Sequence, residues 1–582
     1  MSTLKPIAYH KFFIMITCVW VSFGIVCAKL VHLQIKQADL FARKSKKNFL
    51  HVETVYSPRG NIVDVHGKLL ATNRPTHNVY WQGTGNYKLS HEQQKKLHNI
   101  GTIVTKLSGD KKKLITQLNK TERYQKKKLI ASDIPFEQLS RLEEQFPLDG
   151  NITIETSFAR FYPHDTCASH LLGYLGRLKV DFTGKMGLEH LFEQTLKGKH
   201  GTIATTINSV GAKLSETPLQ KPQTGSDVQT TIDLELQKII ETSFAKDQTG
   251  MCLLMDPENG AILAMTSRPN FSPSLFLAPI SQSDWQQLQN EHPFLNRAFN
   301  ANYPPGSIFK LVVTSAALEH GVITPDTLWD CKGYITFAGR RYHCHVRHGH
   351  GKLNVSEALE QSCNPFFYDI GTKMSIDTFA DYAHRFGLGQ KTNISFSEKS
   401  GLVPTSTWKQ ETFGQRWWPG ETLSAAIGQS YLLVTPIQVA RMIGGIFTGY
   451  LVRPRILVDE PIEKKPLDVK PETLDFLKQS MKKVATQGTG KRLSRVKNIE
   501  LYIKTSTAQT SGLDKRDKGR QYQEHGWLVG QFCYKEEKPI TLVVLVEHAG
   551  SSRAPTLIAR KILVRYKKVV DARERNILDQ KI

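Results

Sequence analysis

The chain has 582 residues, which is too many for one compact core, and the usual size of about 150 residues per domain suggests roughly four folded units. A hydrophobic fraction of 40% and a charged fraction of 22% exclude a largely disordered chain. The 77 basic and 53 acidic residues leave a net charge of +24. This excess favours a polyanionic partner: nucleic acid, an anionic membrane surface or a cell-wall polymer. The 8 cysteines are too sparse for a disulfide-stapled scaffold.

An uncharged apolar run occupies residues 12–28, and apolar residues continue to position 33. About 20 apolar residues cross the hydrocarbon of a bilayer, and a lysine such as Lys29 can reach its interface. A cleaved signal peptide is an alternative, but residues 26–28 make a poor cleavage site, and a buried core helix is a third possibility. We therefore predict a transmembrane anchor at residues 12–33, after a cytoplasmic segment at residues 1–11. Basic residues are more numerous after the span, which by itself favours a cytoplasmic location for the rest of the chain.

The chain beyond the anchor divides at a linker-like segment, residues 218–225, which is rich in proline and polar residues. A strand at 228–232 follows it, and Asp233 is placed to cap a helix. Residues 250–266 have the pattern of a β-hairpin, and further strands are predicted at 501–503, 527–534 and 540–546. Strands near both ends with helices between them indicate one α/β domain whose sheet joins distant segments. A basic amphipathic helix is predicted at 560–582.

A candidate nucleophile lies at Ser307, three residues before Lys310, on a predicted helix that runs to about Glu319. Residues at i and i+3 share a helix face, and a partly buried lysine can lose its proton and act as general base to a serine. The pattern alone is weak, since Ser-x-x-Lys occurs seven times in the chain. The serines concerned are Ser2, Ser108, Ser243, Ser307, Ser406, Ser480 and Ser494.

Two further motifs distinguish Ser307 from the other six serines. Ser362 and Asn364 form a Ser-x-Asn motif 55 residues later, and Lys504 and Thr505 follow Ser362 by 142 residues on a predicted strand. This order of motifs resembles the penicillin-recognising serine acyltransferases. Matching segments also occur at 231–237, 256–260 and 428–436, and an Arg-Gly-Asn segment at 59–64 follows the anchor. With these segments nearly the whole chain resembles the class B penicillin-binding proteins, and residues 342–351 and 362–368 resemble their elongation, rod-shape type.

The resemblance implies an α/β (α+β) serine transpeptidase fold with an antiparallel sheet flanked by helices. It implies an extended, non-catalytic pedestal of dimerisation type at 34–225 and a transpeptidase domain at 226–582. It also implies a single-pass protein of the bacterial inner membrane, with a cytoplasmic N-terminus and a periplasmic catalytic domain. This location overrides the orientation that the flanking charges favour. The net charge then suits anionic lipids and wall polymers, and nucleic acid is not expected as a partner.

The implied activity is peptidoglycan D,D-transpeptidation during cell elongation, through a serine acyl-enzyme that β-lactams also form. The implied partners are stem peptides, β-lactams, a glycosyltransferase of the shape, elongation, division and sporulation (SEDS) family, and other elongation-complex proteins. The implied site comprises the nucleophile Ser307, the general base Lys310, the relay Ser362, the substrate-binding Asn364 and the cationic Lys504, with Thr505, Ser506 and Thr507 along the substrate. The backbone N–H groups of Ser307 and Thr507 are expected to form an oxyanion hole.

One residue departs from the family pattern, because Ser506 stands where Lys-Thr-Gly or Lys-Ser-Gly is usual. Glycine in a strand often marks a close approach of a ligand, so Ser506 either crowds the substrate or points away from it. A weakened active site, and hence a scaffold of the elongation complex, is therefore one alternative function. A β-lactamase or a β-lactam sensor of the same fold is the other.

Cysteine and histidine residues cluster in the segment 331–363. Cys331, Cys344, His350 and Cys363 are candidate ligands of one structural zinc ion, which takes thiolate and imidazole ligands in a tetrahedron. A Cys331–Cys344 disulfide and a pair of buried thiols are the alternatives. By resemblance to some elongation-type relatives, the ligand set is Asp330, Cys344, His350 and Cys363, with Cys331 able to replace Asp330. No organic cofactor is expected.

Overall fold

The computed structural model describes residues 7–42, 50–104, 111–124, 126–147, 149–178, 181–207, 213–278, 280–510, 518–535 and 537–579. Two compact units emerge from the contacts between residues. The first comprises Met1–Pro58, Asn73–Ala159 and Gly198–Gly225, and the second comprises Arg59–Thr72, Arg160–Lys197 and Ser226–Ile582. Residues 59–72 and 160–197, which the sequence assigns to the pedestal, thus pack within the second unit. The domain bounds 34–225 and 226–582 stay predictions.

The N-terminal helix, Ile7–Val31, continues into a π-helical turn at His32–Lys36. The apolar stretch Tyr9–Lys36 is long enough to cross a membrane, and none of its most apolar part is buried against the rest of the chain. Exposed apolar side chains over such a length suit hydrocarbon as their surroundings. The span predicted at 12–33 lies within this stretch, and residues 1–6 of the predicted cytoplasmic segment are outside the described residues.

The first unit contains two groups of elements. An antiparallel sheet joins Leu50–Val55 to Gly201–Ile207, which pairs on its other side with Lys213–Gln220. A separate core lies under Trp81, whose indole donates to the buried carboxylate of Glu122 at 2.9 Å. The elements around this core are the strands Leu69–Gln82, Lys127–Ile134 and Ile152–Phe161 and the helices His91–Ile103, Lys111–Arg123 and Phe136–Gln145.

The second unit is built around an antiparallel sheet of five strands, which we call the central sheet. Its order is Ile262–Arg268, Gly250–Met255, Ile540–Val546, His525–Tyr534 and Ile499–Ala508. The first two strands form the predicted hairpin, and Cys252 faces Val544 across a separation of nearly 300 residues along the chain. The predicted union of distant segments in one sheet is confirmed. Ile499–Ala508 is an edge strand, so one side of its backbone is free to pair with a ligand.

Helices cover both faces of the central sheet. Successive side chains of a strand point to opposite faces, so each strand contributes to two cores. In Gly250–Met255, Leu253 packs in the larger core together with helix Lys310–Glu319. Its neighbours Cys252 and Leu254 pack in the second core. That core contains the C-terminal helix Arg553–Asp579 and the helix Leu234–Glu241, whose first turn Asp233 caps as predicted.

The remaining elements of the second unit are short. The strands are Ile62–Val63, Leu175–Leu178, Asp181–Gly184, Val228–Gln229, Trp329–Cys331, Tyr334–Phe337, Arg340–His343, Gly351–Leu353, Tyr450–Val452 and Lys464–Pro466. The α-helices are Ser169–Leu172, Gly187–Leu191, Glu193–Lys197, Gln282–Glu291, Val355–Glu360, Asn364–Lys373, Ile376–Arg385, Ser406–Phe413, Pro419–Ala426, Pro436–Thr448 and Pro471–Thr486. Turns of 3-10 helix occur at Pro273–Leu277, Gly306–Ile308 and Arg520–Tyr522.

Candidate active site

Ser307 lies in the 3-10 turn Gly306–Ile308, which leads directly into the helix Lys310–Glu319. We call the segment 305–308 the nucleophile turn. Ser307 remains partly exposed, whereas Lys310 is fully buried. The predicted helix is confirmed with its end at Glu319. The arrangement presents a hydroxyl to solvent at the start of a helix with a lysine one turn behind it.

The buried amine of Lys310 has three oxygen neighbours. Its Nζ lies 2.9 Å from the Ser362 carbonyl, 3.3 Å from Ser362 Oγ and 2.7 Å from Asn364 Oδ1. The Phe367 ring lies under the same amine, 5.2 Å from its centroid. Burial lowers the pKa of Lys310 to about 7, because the charged form loses its hydration. A neutral amine, able to accept a proton, is therefore populated near neutral pH.

Ser362 connects the two buried lysines of the site. Its hydroxyl lies 3.3 Å from Lys310 Nζ and accepts a hydrogen bond from Lys504 Nζ at 3.0 Å. The residue has φ +54° in the turn between the helices Val355–Glu360 and Asn364–Lys373. A hydroxyl between two amines can both donate and accept, so it can pass a proton from one group to another.

Lys504 lies on the edge strand Ile499–Ala508 and is fully buried. Its pKa is lowered well below the usual value by burial and by the nearby charge of Lys310. Thr505 is buried with its hydroxyl 2.6 Å from that of Thr489, while Thr507 is exposed. A ligand carboxylate near Lys504 would favour the charged ammonium, since opposite charges raise the pKa of an amine.

Ser506 is turned toward the nucleophile turn. Its hydroxyl donates to the carbonyl of Pro305 at 2.8 Å, and the residue is only 3% exposed. The sequence left two orientations open for Ser506, toward the substrate or away from it. The observed side chain points into the protein and not toward solvent. The serine therefore packs against the nucleophile turn at Pro305 and Gly306, and Thr507 beside it is exposed.

The structure brings together the predicted residues Cys331, Cys344, His350 and Cys363. Their ligand atoms all lie within 4.8 Å of one another, and Cys344 Sγ is 3.5 Å from His350 Nδ1. Asp330 is exposed and does not belong to this group, so the cluster contains Cys331 instead. In the described part of the chain every cysteine is a free thiol, and Cys331 and Cys344 are not joined.

The donor set of this cluster suits zinc. Zn–S bonds of about 2.3 Å in a tetrahedron place two sulfurs about 3.8 Å apart, within the observed spread. The hydrogen bond between the side chains of Cys344 and Cys363 lowers the pKa of Cys344 and raises that of Cys363. The backbone places the cluster beside the catalytic groups, because Cys363 lies between Ser362 and Asn364.

Sequence reasoning missed two groups that shape the site. Gly428 accepts a hydrogen bond from the Gly306 N–H at 2.9 Å, and its φ of +73° suits glycine. A Cβ at Gly428 would lie 2.0 Å from the Gly306 carbonyl oxygen. Phe367, which shields Lys310, lies in the segment 362–368, and its apolar ring carries no sign of this function in the sequence. Gly428 could be recognised in the sequence as a residue that allows close backbone approach. That the nucleophile turn is the segment approaching it could not be recognised.

A serine at a helix start, a buried lysine, a Ser-x-Asn turn and a Lys-Thr edge strand define a serine acyltransferase of the penicillin-recognising class. The sequence matches the penicillin binding protein transpeptidase domain over residues 250–564 and the penicillin-binding protein dimerisation domain over residues 54–230. The chain belongs to the penicillin-binding protein transpeptidase family. Its apolar N-terminal helix is accordingly a membrane anchor.

Relatives match over most of the chain. The peptidoglycan D,D-transpeptidase MrdA of Escherichia coli K12 is 27% identical over 93% of this chain and 91% of its own length. MrdA of Acinetobacter baumannii is 28% identical over 94% and 86%. The structure of PBP2 in complex with MreC from Helicobacter pylori has a TM-score of 0.76 at 29% identity, covering 89% of this chain and 99% of the other. A chain of a peptidoglycan synthase complex that coordinates polymerization and crosslinking has a TM-score of 0.73 at 27% identity, covering 96% and 98%.

Proposed function

We propose that this chain is a peptidoglycan D,D-transpeptidase that crosslinks stem peptides during cell elongation and maintenance of rod shape. The observation that carries the proposal is the buried amine of Lys310, with its lowered pKa, in contact with Ser362 and Asn364 and one turn from Ser307. The MrdA relatives, named peptidoglycan D,D-transpeptidases, support the same reaction.

Acylation begins when Ser307 Oγ attacks the carbonyl carbon between the two D-alanines at the end of a stem peptide. Lys310 Nζ takes the hydroxyl proton as the C–O bond forms. The peptide C–N bond then breaks, and the leaving amine of D-alanine receives a proton through Ser362. The product is an ester on Ser307 with one free D-alanine, so one bond has formed and one has broken.

Substrate binding uses the groups around this centre. The Asn364 amide hydrogen-bonds the peptide, and Lys504 attracts the terminal carboxylate, with Thr505 and Thr507 supplying hydroxyl partners. The backbone N–H groups of Ser307 and Thr507 hold the oxyanion, each such donor contributing about 3–4 kcal/mol to the transition state. A bound carboxylate favours the ammonium form of Lys504, which burial otherwise disfavours.

Deacylation completes the transfer. The side-chain amine of a neighbouring stem peptide attacks the ester carbonyl, and its proton returns through Lys310 to Ser307 Oγ. The new amide is a 3-4-type crosslink, and the enzyme is regenerated.

The reaction takes place on the outer side of the inner membrane, with residues 1–11 in the cytoplasm and the catalytic domain in the periplasm. The partner that supplies glycan strands is a SEDS-family glycosyltransferase. The structures of related chains in a peptidoglycan synthase complex and with MreC support partners of the elongation complex.

We further propose that Cys331, Cys344, His350 and Cys363 hold one zinc ion. Four protein ligands leave no position for substrate, so the ion supplies structural cross-linking rather than catalysis. Through Cys363 the cluster fixes the turn that carries Ser362 and Asn364.

The activity is tested by incubating the full-length chain in detergent with a pentapeptide donor that ends in D-Ala-D-Ala and an acceptor stem with a free amine. We expect mass spectrometry to detect the crosslinked dimer together with free D-alanine. We also expect a fluorescent penicillin to give an adduct that outlasts the assay. Clearance of that adduct within seconds, without a dimer, would instead indicate a β-lactamase. Stable labelling with neither a crosslinked dimer nor free D-alanine would indicate a scaffold or sensor.

The metal is tested by elemental analysis of protein purified without chelators. We expect about one zinc ion per wild-type chain and a large loss of zinc in Cys363→Ser. The matched control is Cys252→Ser, which alters another buried thiol on the strand Gly250–Met255 and should retain zinc. Equal zinc contents in the wild type and Cys363→Ser, or a wild-type chain without zinc, would contradict the assignment.

A further inference from the structure

The peptide unit between Pro305 and Gly306 is held at both of its polar ends. The Pro305 carbonyl accepts the Ser506 hydroxyl at 2.8 Å, and the Gly306 N–H donates to the Gly428 carbonyl at 2.9 Å. The two partners come from different elements, the edge strand and the turn before Ser430. Hydrogen bonds from both sides therefore fix the orientation of the Pro305–Gly306 peptide, which lies one residue before the Gly306–Ser307 peptide.

Little space remains around the Pro305–Gly306 peptide. Gly306 has φ +55°, and a Cβ there would lie 2.4 Å from Ser506 Oγ. A Cβ at Gly428 would lie 2.0 Å from the Gly306 oxygen. The Ser506 hydroxyl thus occupies the space beside Gly306. The absence of a Cβ at Gly306 and Gly428 allows the nucleophile turn, the edge strand and the turn at Gly428 to approach one another closely.

The hydrogen bond to Pro305 directs the Ser506 hydroxyl toward the nucleophile turn. Side chains alternate along a strand, so Lys504 and Ser506 share one face while Thr505 and Thr507 share the other. Thr507 is exposed, whereas Thr505 and Ser506 are buried. Ser506 therefore lies beside Lys504 on the face of the edge strand that meets the nucleophile turn, with its hydroxyl bonded to Pro305.

We propose that Ser506 is a positioning residue for Ser307. Its hydroxyl ties the nucleophile turn to the edge strand that carries Lys504 and Thr507, so that nucleophile and substrate-binding strand keep a fixed relative position. This inference rests on the proposed transpeptidase function. In this interpretation the serine that replaces the usual glycine helps to position the nucleophile and does not weaken the active site.

Loss of the hydroxyl should loosen the turn without unfolding it. The Pro305 carbonyl also accepts from the Ile308 N–H at 3.4 Å, and the Gly306 N–H keeps its bond to Gly428. Ser307 then samples orientations away from the attacking one, and small misplacements of reacting groups reduce rate more than binding. The effect should therefore fall on the acylation step and spare the initial binding of the β-lactam.

The test compares the full-length wild type with Ser506→Ala, Ser506→Gly and Ser506→Thr, using a fluorescent penicillin over a range of concentrations. In Ser506→Ala and Ser506→Gly we expect the first-order acylation constant to fall about tenfold, with an unchanged half-saturating concentration. Ser506→Thr, which keeps the hydroxyl, should retain most of the rate. Wild-type or faster acylation by Ser506→Gly would overturn the inference, as would an effect confined to the half-saturating concentration.

The matched control is Ser315→Ala. Ser315 is also buried and donates to a backbone carbonyl, that of Leu311, but within the helix behind the nucleophile turn. Its loss should lower the thermal midpoint as much as Ser506→Ala while leaving the acylation constant unchanged. An equal loss of rate in both variants would reduce Ser506 to a structural role. Labelling of Ser307→Ala would refute the proposed function itself, which separates that failure from failure of the inference.

Discussion

Replacing Ser307 with alanine is expected to abolish covalent labelling of the chain by a fluorescent penicillin. In the proposed mechanism this hydroxyl is the group that becomes acylated. Ser362, the nearest candidate by motif, is 8% exposed and already hydrogen-bonded to Lys504. We expect the acylation rate to fall by at least about 10⁴-fold, the scale of removing a nucleophile, and the adduct to be undetectable on a gel.

The control for this result is again Ser315→Ala, which removes a buried hydroxyl two turns along the same helix without touching the reacting atoms. It should label like the wild type. Equal labelling of wild type and Ser307→Ala would contradict the assignment of the nucleophile, and peptide mapping of the adduct would then identify the residue that reacts.

Replacing Lys310 with methionine is expected to lower the second-order acylation rate about 10³-fold, within the range measured for general bases. Methionine fills similar space but cannot accept the Ser307 proton. Lys310→Arg is the matched variant, because a guanidinium keeps the positive charge and stays protonated. If proton acceptance is the role of Lys310, both variants lose the rate. Recovery of the rate by Lys310→Arg would show that charge alone suffices.

The pH profile gives an independent check on Lys310. Its pKa of about 7 in the folded chain means that the amine is protonated below that pH and cannot act as base. The wild-type rate should therefore rise as pH rises through about 7 and fall about tenfold for each pH unit below it. Both variants should lose this rise. A wild-type rate independent of pH between 5.5 and 8.5, roughly one and a half units either side of the lowered pKa, would contradict the assignment.

The sequence determined much of the architecture through local rules. Asp233 caps its helix, residues 250–266 form the hairpin, and the helix after Ser307 ends at Glu319. Such features depend on neighbours within a few positions along the chain, so periodicity and capping residues reveal them. The order of the three motifs spans about 200 residues, but it can be read from the sequence without any contact between them, and it was sufficient to indicate the family.

Partners across the fold were decided by the tertiary structure. The sequence allowed either Asp330 or Cys331 in the cluster with Cys344, His350 and Cys363, and strand Trp329–Cys331 buries the cysteine while leaving the aspartate exposed. Adjacent strand residues point to opposite faces, so a shift of one position decides which of them joins the cluster.

Ser506 illustrates the same limit of sequence reasoning. Its motif gave two possible orientations, and the choice depended on the position of Pro305, 201 residues away along the chain. The lowered pKa of Lys310 likewise comes from burial among helices that the motif does not contain. The sequence by itself determined which chemical groups are present and in what order. Only the packing of distant elements decided which groups meet, because burial and direct contact are properties of the assembled core.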